Sequence, residues 1–221
     1  MILFIVYVVL LVWLIFTQKT IMDIHDSIPF YDENDNKIDH VNTERSEQII
    51  AHDFIDSDDN VLELGSRYGT VSCLLARKAN RVVSLDPDIS ALECAKKNAK
   101  RHGVRVDFMH GIVSNKPQKF NADNYASTTE PTEESDIPIY SIEKLQNMFN
   151  IKFNTLVADC EGCLEKVLEE NDISSFNKIT YETDQPHKCN YDNVSNNLKS
   201  LNFQQIYDDR NGHIVWKKFS S

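Results

Sequence analysis

The stretch VLELGSRYGT at residues 61–70 decides the fold of this chain. It begins with the pattern of a buried strand, and its two glycines predict a turn into a helix. A second apolar run, RVVSL at residues 81–85, ends at Asp86, about 20 residues after Gly65. Parallel strands with this spacing bring Gly65 and Asp86 to one sheet edge, where glycine admits a ligand and the acid accepts hydrogen bonds from ribose hydroxyls. The sequence therefore predicts a nucleoside site.

The spacing of the glycines indicates which nucleoside is bound. A dinucleotide site requires G-x-G-x-x-G, because a pyrophosphate rests on bare backbone amides at a helix start. Here the pattern is E-x-G-x-x-x-G, which favours a ligand with a cationic amino or sulfonium group, since a carboxylate ends the first strand. We therefore expect S-adenosylmethionine rather than the nicotinamide cofactor of a reductase. The predicted cofactor-binding residues are Glu63, Gly65, Ser66, Gly69, Asp86 and Asp159.

The remaining chain alternates strand and helix patterns. Strands are expected at 61–64, 81–85, 104–109, 153–158 and 178–181. Helices are expected near 43–55, 89–102, 141–149, 163–170 and 193–200, and one more follows Gly69 with Val71, Leu74 and Leu75. Asn211-Gly212 predicts a C-terminal hairpin between residues 203–207 and 213–216. This order predicts an α/β fold with a doubly wound, mostly parallel, seven-stranded Rossmann-like sheet and an antiparallel C-terminal hairpin, the architecture of class I methyltransferases.

The N-terminus predicts a membrane anchor. The first 16 residues of the 221-residue chain carry no charge and are almost wholly apolar. A signal peptide would need a positive n-region and a cleavage site of small residues, and neither is present. We expect an uncleaved transmembrane helix at residues 1–18, a juxtamembrane tether at 19–41 and the methyltransferase domain at 42–221. This organisation predicts a single-pass membrane protein and leaves open which side of the bilayer the domain faces.

Residues 115–136 interrupt the apolar pattern and are rich in Ser, Thr, Asn, Asp and Glu. They are expected to form a flexible loop. Long loops in compact domains are often lids or acceptor-binding elements, but long surface insertions are also tolerated, and both alternatives remain open.

Charge and cysteine content limit the partners. The net charge is −11 without a sustained basic stripe, which disfavours nucleic acid as the acceptor. Five cysteines without a small-domain disulfide pattern favour reduced thiols. A zinc site on Cys160, Cys163, His187 and Cys189 is disfavoured by their spacing. No metal is predicted, although a divalent cation on nearby carboxylates remains an alternative.

A second group of candidate residues follows the fourth strand, in the motif DCEG at residues 159–162. In a doubly wound sheet the strand order reverses between the first and fourth strands, and ligands bind in that crevice. Asp159 is therefore expected beside Gly65, close to the reacting group. An acid that ends a buried strand at this point has few structural reasons to be there. Glu182 ends the fifth strand, one position over.

Three motifs in order resemble the FkbM-type family of S-adenosylmethionine-dependent O-methyltransferases. They are the loop at residues 61–72, IPIYSIEKL at 137–145, which is similar to V-x-x-x-T-L-D-x-L, and DCEGCLE at 159–165, which is similar to D-x-E-G-x-E. The resemblance covers roughly residues 43–185. The chain departs from the family pattern at Glu63, where an Asp is usual, and at Glu165, which is shifted by one position.

The resemblance implies methyl transfer to a hydroxyl of a sugar, a glycan or a small molecule. An alcohol is a weak nucleophile, so a carboxylate that accepts its proton accelerates the reaction. The candidate catalytic residues are Asp159 as first choice of base, Glu161 as second choice, and Glu182 as a group that orients the acceptor. The alternative is a catalytically silent, membrane-tethered module that keeps the methyltransferase fold and binds a partner.

Overall fold

The computed structural model describes residues 28–40, 42–123 and 127–219. The predicted transmembrane anchor at 1–18 lies outside the described residues, as does the tether up to residue 27. Within the described ranges, none of the helices combines the length and the apolar character needed to span a bilayer.

Six helices and eleven strands make up the described part of the chain. The helices are α1 Arg45–Phe54, α2 Thr70–Lys78, α3 Ile89–Arg101, α4 Ile142–Phe149, α5 Leu164–Glu170 and α6 Tyr191–Ser200. The strands are β1 Asn60–Leu64, β2 Arg81–Asp86, β3 Asp107–His110, β4 Ile112–Val113, β5 Gln118–Asn121, β6 Thr128–Pro131, β7 Ile139–Tyr140, β8 Thr155–Ala158, β9 Lys178–Glu182, β10 Phe203–Asp208 and β11 His213–Lys218.

Seven of these strands form one sheet in the order β10-β11-β9-β8-β1-β2-β3. The five strands from β9 to β3 run parallel, and β11 is antiparallel to both β9 and β10. The order reverses between β1 and β8, so the crevice for a ligand lies over the carboxyl ends of these two strands. The predicted seven-stranded, mostly parallel sheet with a C-terminal hairpin is confirmed.

Helices cover the sheet on both faces because neighbouring residues of β1 point in opposite directions. Val61 packs with Leu74 and Leu75 of α2 and with Ala51 of α1. Leu62 belongs to the main core, which contains residues of α4, α5 and α6. Burial on both faces explains why the central strands are continuous apolar runs rather than alternating patterns.

The polar segment at 115–136 is more ordered than the sequence predicts. Its described residues contain β5 and β6, which pair antiparallel as a ribbon from Gln118–Pro131 to Asn121–Thr128. The short parallel pair β4–β7 closes the base of this insertion. Eight of its 22 residues are therefore paired in strands, where the sequence predicts a loop. Each strand has only four residues and lies at the surface, so its composition gives little apolar signal.

A buried ion pair connects the central strands at their amino ends, opposite the carboxyl ends that form the crevice. Lys178 at the start of β9 places Nζ 2.6 Å from Oδ2 of Asp59 and 2.9 Å from Oδ2 of Asp56. The side chains of Lys178 and Asp59 are only 3% and 4% exposed. Thr155 at the start of β8 donates its hydroxyl to Asp59 Oδ1 at 2.7 Å. The pair thus joins the starts of β8 and β9 to the turn that precedes β1.

Removal of the ammonium is expected to destabilise the domain strongly. In Lys178→Met the carboxylate of Asp59 stays buried without its counter-ion, so we expect a loss of about 3–5 kcal/mol in the free energy of unfolding. The double variant Lys178→Met/Asp59→Asn removes the unpaired charge and should recover part of this loss. Urea denaturation of the full chain measures both variants. An equal loss in the single and double variants would show that the unpaired charge of Asp59 does not cause it.

Candidate functional site

A cleft with a volume of about 300 Å³ lies over the carboxyl ends of β1, β2 and β8. This position is the switch point of the sheet, where the topology predicts a ligand. One wall is formed by the β5–β6 ribbon, which contributes Gln118, Thr129 and Pro131 among others. The insertion therefore borders the site, which favours a binding role over that of a neutral surface insertion.

Gly65 sits where β1 and β8 come closest. Its φ is +90°, and a Cβ on this residue would lie 1.8 Å from the carbonyl oxygen of Asp159. The Asp159 amide donates to the carbonyl of Leu64 at 2.9 Å, and the Gly65 amide donates to the carbonyl of Leu85 at 2.9 Å. No side chain fits at position 65, so the glycine loop and the DCEG motif at 159–162 contact each other directly through their main chains.

Asp86 lines the cleft and also holds the glycine loop. Its Oδ2 accepts from the amides of Ser66 at 3.0 Å and Arg67 at 2.8 Å, and its Oδ1 accepts from the amide of Asp88 at 2.8 Å. Burial raises the pKa of Asp86, and these backbone hydrogen bonds oppose that rise. A carboxylate oxygen accepts about two hydrogen bonds, so Oδ1 keeps capacity for a ribose hydroxyl.

Three of the predicted cofactor residues, Glu63, Ser66 and Gly69, do not line the cleft. Ser66 contacts Asp86 through its amide. Gly69 has φ +80° and precedes α2, and a Cβ there would contact Ala95 at 3.1 Å. Glu63 is only 1% exposed, its Oε2 accepts from the Ser72 hydroxyl at 2.5 Å, and burial raises its pKa to about 7. Any contribution of Glu63 to binding is therefore through the loop and through charge.

Glu44 is a cleft residue that the sequence does not reveal. It precedes α1 with φ +52° and accepts a hydrogen bond from the Thr70 hydroxyl at the start of α2. Its side chain lines the cleft, and burial raises its pKa to about 8. The only signal in the sequence is an acid at a helix start, which is common for structural reasons. Its contact with Thr70 depends on the packing of two helices.

Asp159 and Glu161 both line the cleft, as the sequence predicts. Burial and the negative charges of Glu44 and Glu182 raise the pKa of Asp159 well above its usual value. Burial, followed by contact with Asp184, raises the pKa of Glu161 to about 8. Glu161 Oε2 accepts from Gln185 Nε2 at 2.5 Å. Two carboxyl groups with raised pKa values therefore lie on the side of the cleft opposite Asp86.

Glu182 lies behind the cleft rather than in it. It borders a second cavity of about 20 Å³ together with Asp159, Glu47 and His213. The His213 Nε2 is 2.8 Å from Glu47 Oε1 and 3.4 Å from Glu182 Oε1, and its Nδ1 is 2.9 Å from Asp209 Oδ2. Hydrogen bonds with Glu182 and Glu47 outweigh burial and raise the pKa of His213 to about 11. Glu182 does not line the cleft, so its predicted role in orienting the acceptor is not supported by a direct contact.

The cysteines differ from the expectation of reduced thiols. Cys160 and Cys163 form a disulfide, and both line the cleft. Cys73, Cys94 and Cys189 are buried free thiols. The disulfide also removes two of the four ligands that the zinc alternative would need. Sequence spacing alone does not separate these states, because C-x-x-C is compatible with thiols, a disulfide or a metal.

The charges of the cleft suit a cationic ligand. Seven acidic residues line it, against three basic ones. The acidic residues are Glu44, Asp86, Asp88, Glu130, Asp159, Glu161 and Glu170, and the basic ones are Arg67, Lys166 and Lys188. Gly65 and Gly111 supply backbone surfaces without side chains, and a Cβ at Gly111 would lie 2.5 Å from the carbonyl of Pro138. These donors and acceptors fit S-adenosylmethionine, which combines a nucleoside with a sulfonium and an amino group. The excess of acidic residues fits a pyrophosphate poorly.

The Gly65→Ala variant tests the interlock of β1 and β8. The added methyl group would overlap the Asp159 carbonyl, so the two strands must separate, and we expect ligand binding to be lost. Gly103→Ala is the matched control, because Gly103 also has a positive φ (+64°) but has nothing within 4 Å of a Cβ. The control should show only the cost of a left-handed alanine, about 1–2 kcal/mol. Calorimetric titration with S-adenosylhomocysteine and urea denaturation measure both variants, and equal effects would contradict the clash.

Comparison with known proteins agrees with this geometry. Residues 61–130 match the model of a family described as a methyltransferase domain. No curated protein matches the chain. The matched residues run from β1 to the ribbon and contain the glycine loop and Asp86. The model is of the general methyltransferase domain and does not single out the FkbM family.

Solved structures share the fold at low identity. An uncharacterised protein from Listeria monocytogenes serotype 4b aligns with a TM-score of 0.52 and 11% identity over 80% of this chain and 68% of its own. TrmK of M. capricolum, solved with S-adenosylhomocysteine, aligns with a TM-score of 0.50 and 13% identity over 80% and 70%. Sp1610 of Streptococcus pneumoniae, a proposed tRNA (m1A22) methyltransferase, aligns with a TM-score of 0.50 and 12% identity over 81% and 72%.

At these identities the structural likeness shows the fold alone. The family match adds the methyltransferase class on the cofactor side, and the acid-lined cleft agrees with it. The sequence match, the strand order and the cleft together support a class I methyltransferase with S-adenosylmethionine as its cofactor.

Proposed function

We propose that this chain is an FkbM-like O-methyltransferase that transfers a methyl group from S-adenosylmethionine to a hydroxyl of a sugar, a glycan or a small molecule. The observation that carries the proposal is the position of Asp159. Its main chain packs against Gly65, it lines the cleft, and burial raises the pKa of its carboxyl group well above the usual value. A carboxylate of high proton affinity at this point is suited to accept a proton from an alcohol.

The cofactor half of the cleft contains Gly65, Asp86 and Glu44. Asp86 is suited to bind the ribose, because its Oδ1 retains acceptor capacity, and Glu44 places at the start of α2 a carboxyl group that ionises above about pH 8. When bound, S-adenosylmethionine supplies a methyl group on a positively charged sulfur. Gly65 and Gly111 leave room for a ligand to lie against the backbone.

The acceptor half is formed by Asp159, Glu161 and the ribbon. Asp159 would accept the hydroxyl proton, while the surrounding walls hold the oxygen in line with the methyl group at about 3–3.5 Å. A well-placed base of this kind raises the rate about 10²–10⁴-fold by proton transfer. Glu161, fixed by Gln185, is the second candidate for this role.

The chemistry of the ribbon favours a polyhydroxyl acceptor. Gln118, Thr129 and Ser114 line this side and offer amide and hydroxyl groups. Glu130 and Glu170 also line the cleft, and the acidic residues of the lining outnumber the basic Arg67, Lys166 and Lys188, which disfavours a phosphate backbone. RNA remains the competing acceptor, because Sp1610, with the same fold, is a proposed tRNA methyltransferase.

The proposal predicts that the preference for S-adenosylmethionine over S-adenosylhomocysteine depends on pH. Glu44 and Glu161, with pKa values of about 8, are neutral at lower pH and ionise above it. Ionised carboxylates attract the sulfonium of S-adenosylmethionine but not the neutral sulfur of S-adenosylhomocysteine. The ratio of the two affinities should therefore rise about tenfold in favour of S-adenosylmethionine between pH 6 and pH 9. Isothermal titration calorimetry with each ligand measures this ratio. Protonation changes that affect both ligands equally do not alter it. A ratio independent of pH would show that Glu44 and Glu161 do not lie near the sulfur of the bound ligand.

Asp159→Asn tests the base. The amide keeps the size and the main-chain hydrogen bonds of Asp159 but cannot take a proton, so turnover should fall about 10²–10⁴-fold with S-adenosylhomocysteine binding retained. Glu182→Gln is the comparison variant and should lose much less activity, because Glu182 borders only the rear cavity.

The assay offers the full chain pools of oligosaccharides, small hydroxyl compounds and RNA, with methyl-labelled S-adenosylmethionine, and uses mass spectrometry to find products that gain one methyl group. Label on RNA would overturn the proposed acceptor class. Tight cofactor binding without any labelled product in these pools would favour the silent binding module. Unchanged turnover in Asp159→Asn would place the base elsewhere.

A further inference from the structure

The disulfide closes the turn that carries the acceptor half of the cleft. Asp159 follows the end of β8, Cys160 comes next, and Cys163 precedes the first residue of α5. Both cysteines are half-buried and line the cleft. The covalent bond is therefore part of the cleft wall, one residue from the proposed base.

The backbone inside this turn adopts a conformation that must be held in place. Glu161 has φ +52° and Gly162 has φ +90°, so two successive residues are left-handed. For a residue with a side chain this costs about 1–2 kcal/mol. A Cβ at Gly162 would lie 2.8 Å from the Cβ of Lys188, so the turn also packs tightly against the segment after β9. The disulfide and this packing together hold the Glu161 carboxyl in the cleft.

The other cysteines have no such position. Cys73, Cys94 and Cys189 are buried free thiols, and none of them lines the cleft. Burial raises the pKa of the Cys73 thiol to about 12, which keeps it unreactive. The cysteine pair that faces the site is thus the pair that is bonded.

We propose that Cys160–Cys163 is a redox-active site that controls the acceptor half of the cleft. A dithiol reductant transfers two electrons and two protons to the pair and is itself oxidised to a disulfide. The bond between the two sulfurs breaks and two S–H bonds form. The thiols must then move apart to non-bonded contact, and the left-handed turn loses its covalent closure. The acceptor function of this half rests on the proposed function, whereas the redox activity does not.

Reduction of the disulfide should leave both the cofactor half and Asp159 in place. Asp159 is held by its amide hydrogen bond to Leu64, within the sheet pairing of β1 and β8. Gly65 and Asp86 are held by bonds to the glycine loop and to β2. None of these contacts involves the turn at 160–163. Glu161 is the group that moves when the turn relaxes, because its side chain projects from the turn itself.

The first experiment measures the state of the thiols. The full chain is equilibrated with mixtures of oxidised and reduced dithiothreitol, alkylated with N-ethylmaleimide without denaturant, and digested for mass spectrometry. We expect Cys160 and Cys163 to be unlabelled under oxidising conditions and to gain labels together as the reductant increases, while the three buried cysteines stay unlabelled. Labelling of both residues without reductant would overturn the proposal.

The second experiment measures what reduction does to the cleft. In the reduced form, amide hydrogen exchange at residues 160–164 should be about tenfold faster or more, since the turn has lost its covalent closure. The affinity for S-adenosylhomocysteine should change by less than about threefold, because the cofactor contacts are untouched. Cys160→Ser/Cys163→Ser should behave like the reduced chain under all conditions. Cys189→Ser, the matched control, should respond to reductant as the unmodified chain does.

The outcomes separate the two proposals. If S-adenosylhomocysteine binds neither form, the methyltransferase proposal fails, but labelling and amide exchange still test the redox site. Equal exchange at 160–164 in both forms would overturn the redox control. A parallel loss of cofactor affinity on reduction would overturn its restriction to the acceptor half.

Discussion

The contact between Gly65 and the Asp159 carbonyl is the constraint on which the site depends. Two adjacent parallel strands whose following connections leave towards opposite faces of the sheet open a crevice, and its width is set by how closely the ends of the strands approach. Here the approach is so close that no side chain fits at position 65. The nucleoside loop after β1 and the acidic motif after β8 are therefore placed by one rigid element. A cofactor bound by the first is automatically presented to the second.

The same arrangement concentrates negative charge at a partly buried site, and this has a thermodynamic consequence. Burial raises the pKa of Glu44 to about 8 and that of Glu63 to about 7, above their usual value of 4.5. Between pH 4.5 and about 8 the folded state holds protons that the unfolded state has lost. Stability from these groups is present below the lower value and is lost as pH rises through the higher ones. A bound cation offsets that loss, so the charges that weaken the free domain favour the liganded one.

The sequence predicts the parts of the fold that depend on local pattern. The strand VLELG, the acid at position 86 and the Asn211-Gly212 hairpin each follow from periodicity or turn chemistry, and the strand order follows from their succession. Glu44 was missed because its place in the cleft depends on how α1 packs against α2. The ribbon was missed because its strands are short and polar. The place of Glu44 and the ribbon depend on tertiary packing, which a local sequence pattern does not reveal.

Glu182 shows how far topology alone reaches. It ends a parallel strand beside β8, and the rule for such sheets places its side chain near the ligand edge. The next strand in the sheet, however, is the antiparallel β11, which brings His213 to that edge. A buried, protonated imidazole attracts the carboxylates of Glu182 and Glu47, which gather behind Asp159.

Those carboxylates still act on the site through charge, because they help to raise the pKa of Asp159. The antiparallel hairpin therefore contributes to the chemistry from outside the cleft. The cofactor half is built from backbone and from strands buried on both faces, whereas the acceptor half depends on one turn, one ribbon and the charges behind them. A change of acceptor between related proteins can accordingly be confined to these elements without disturbing the sheet.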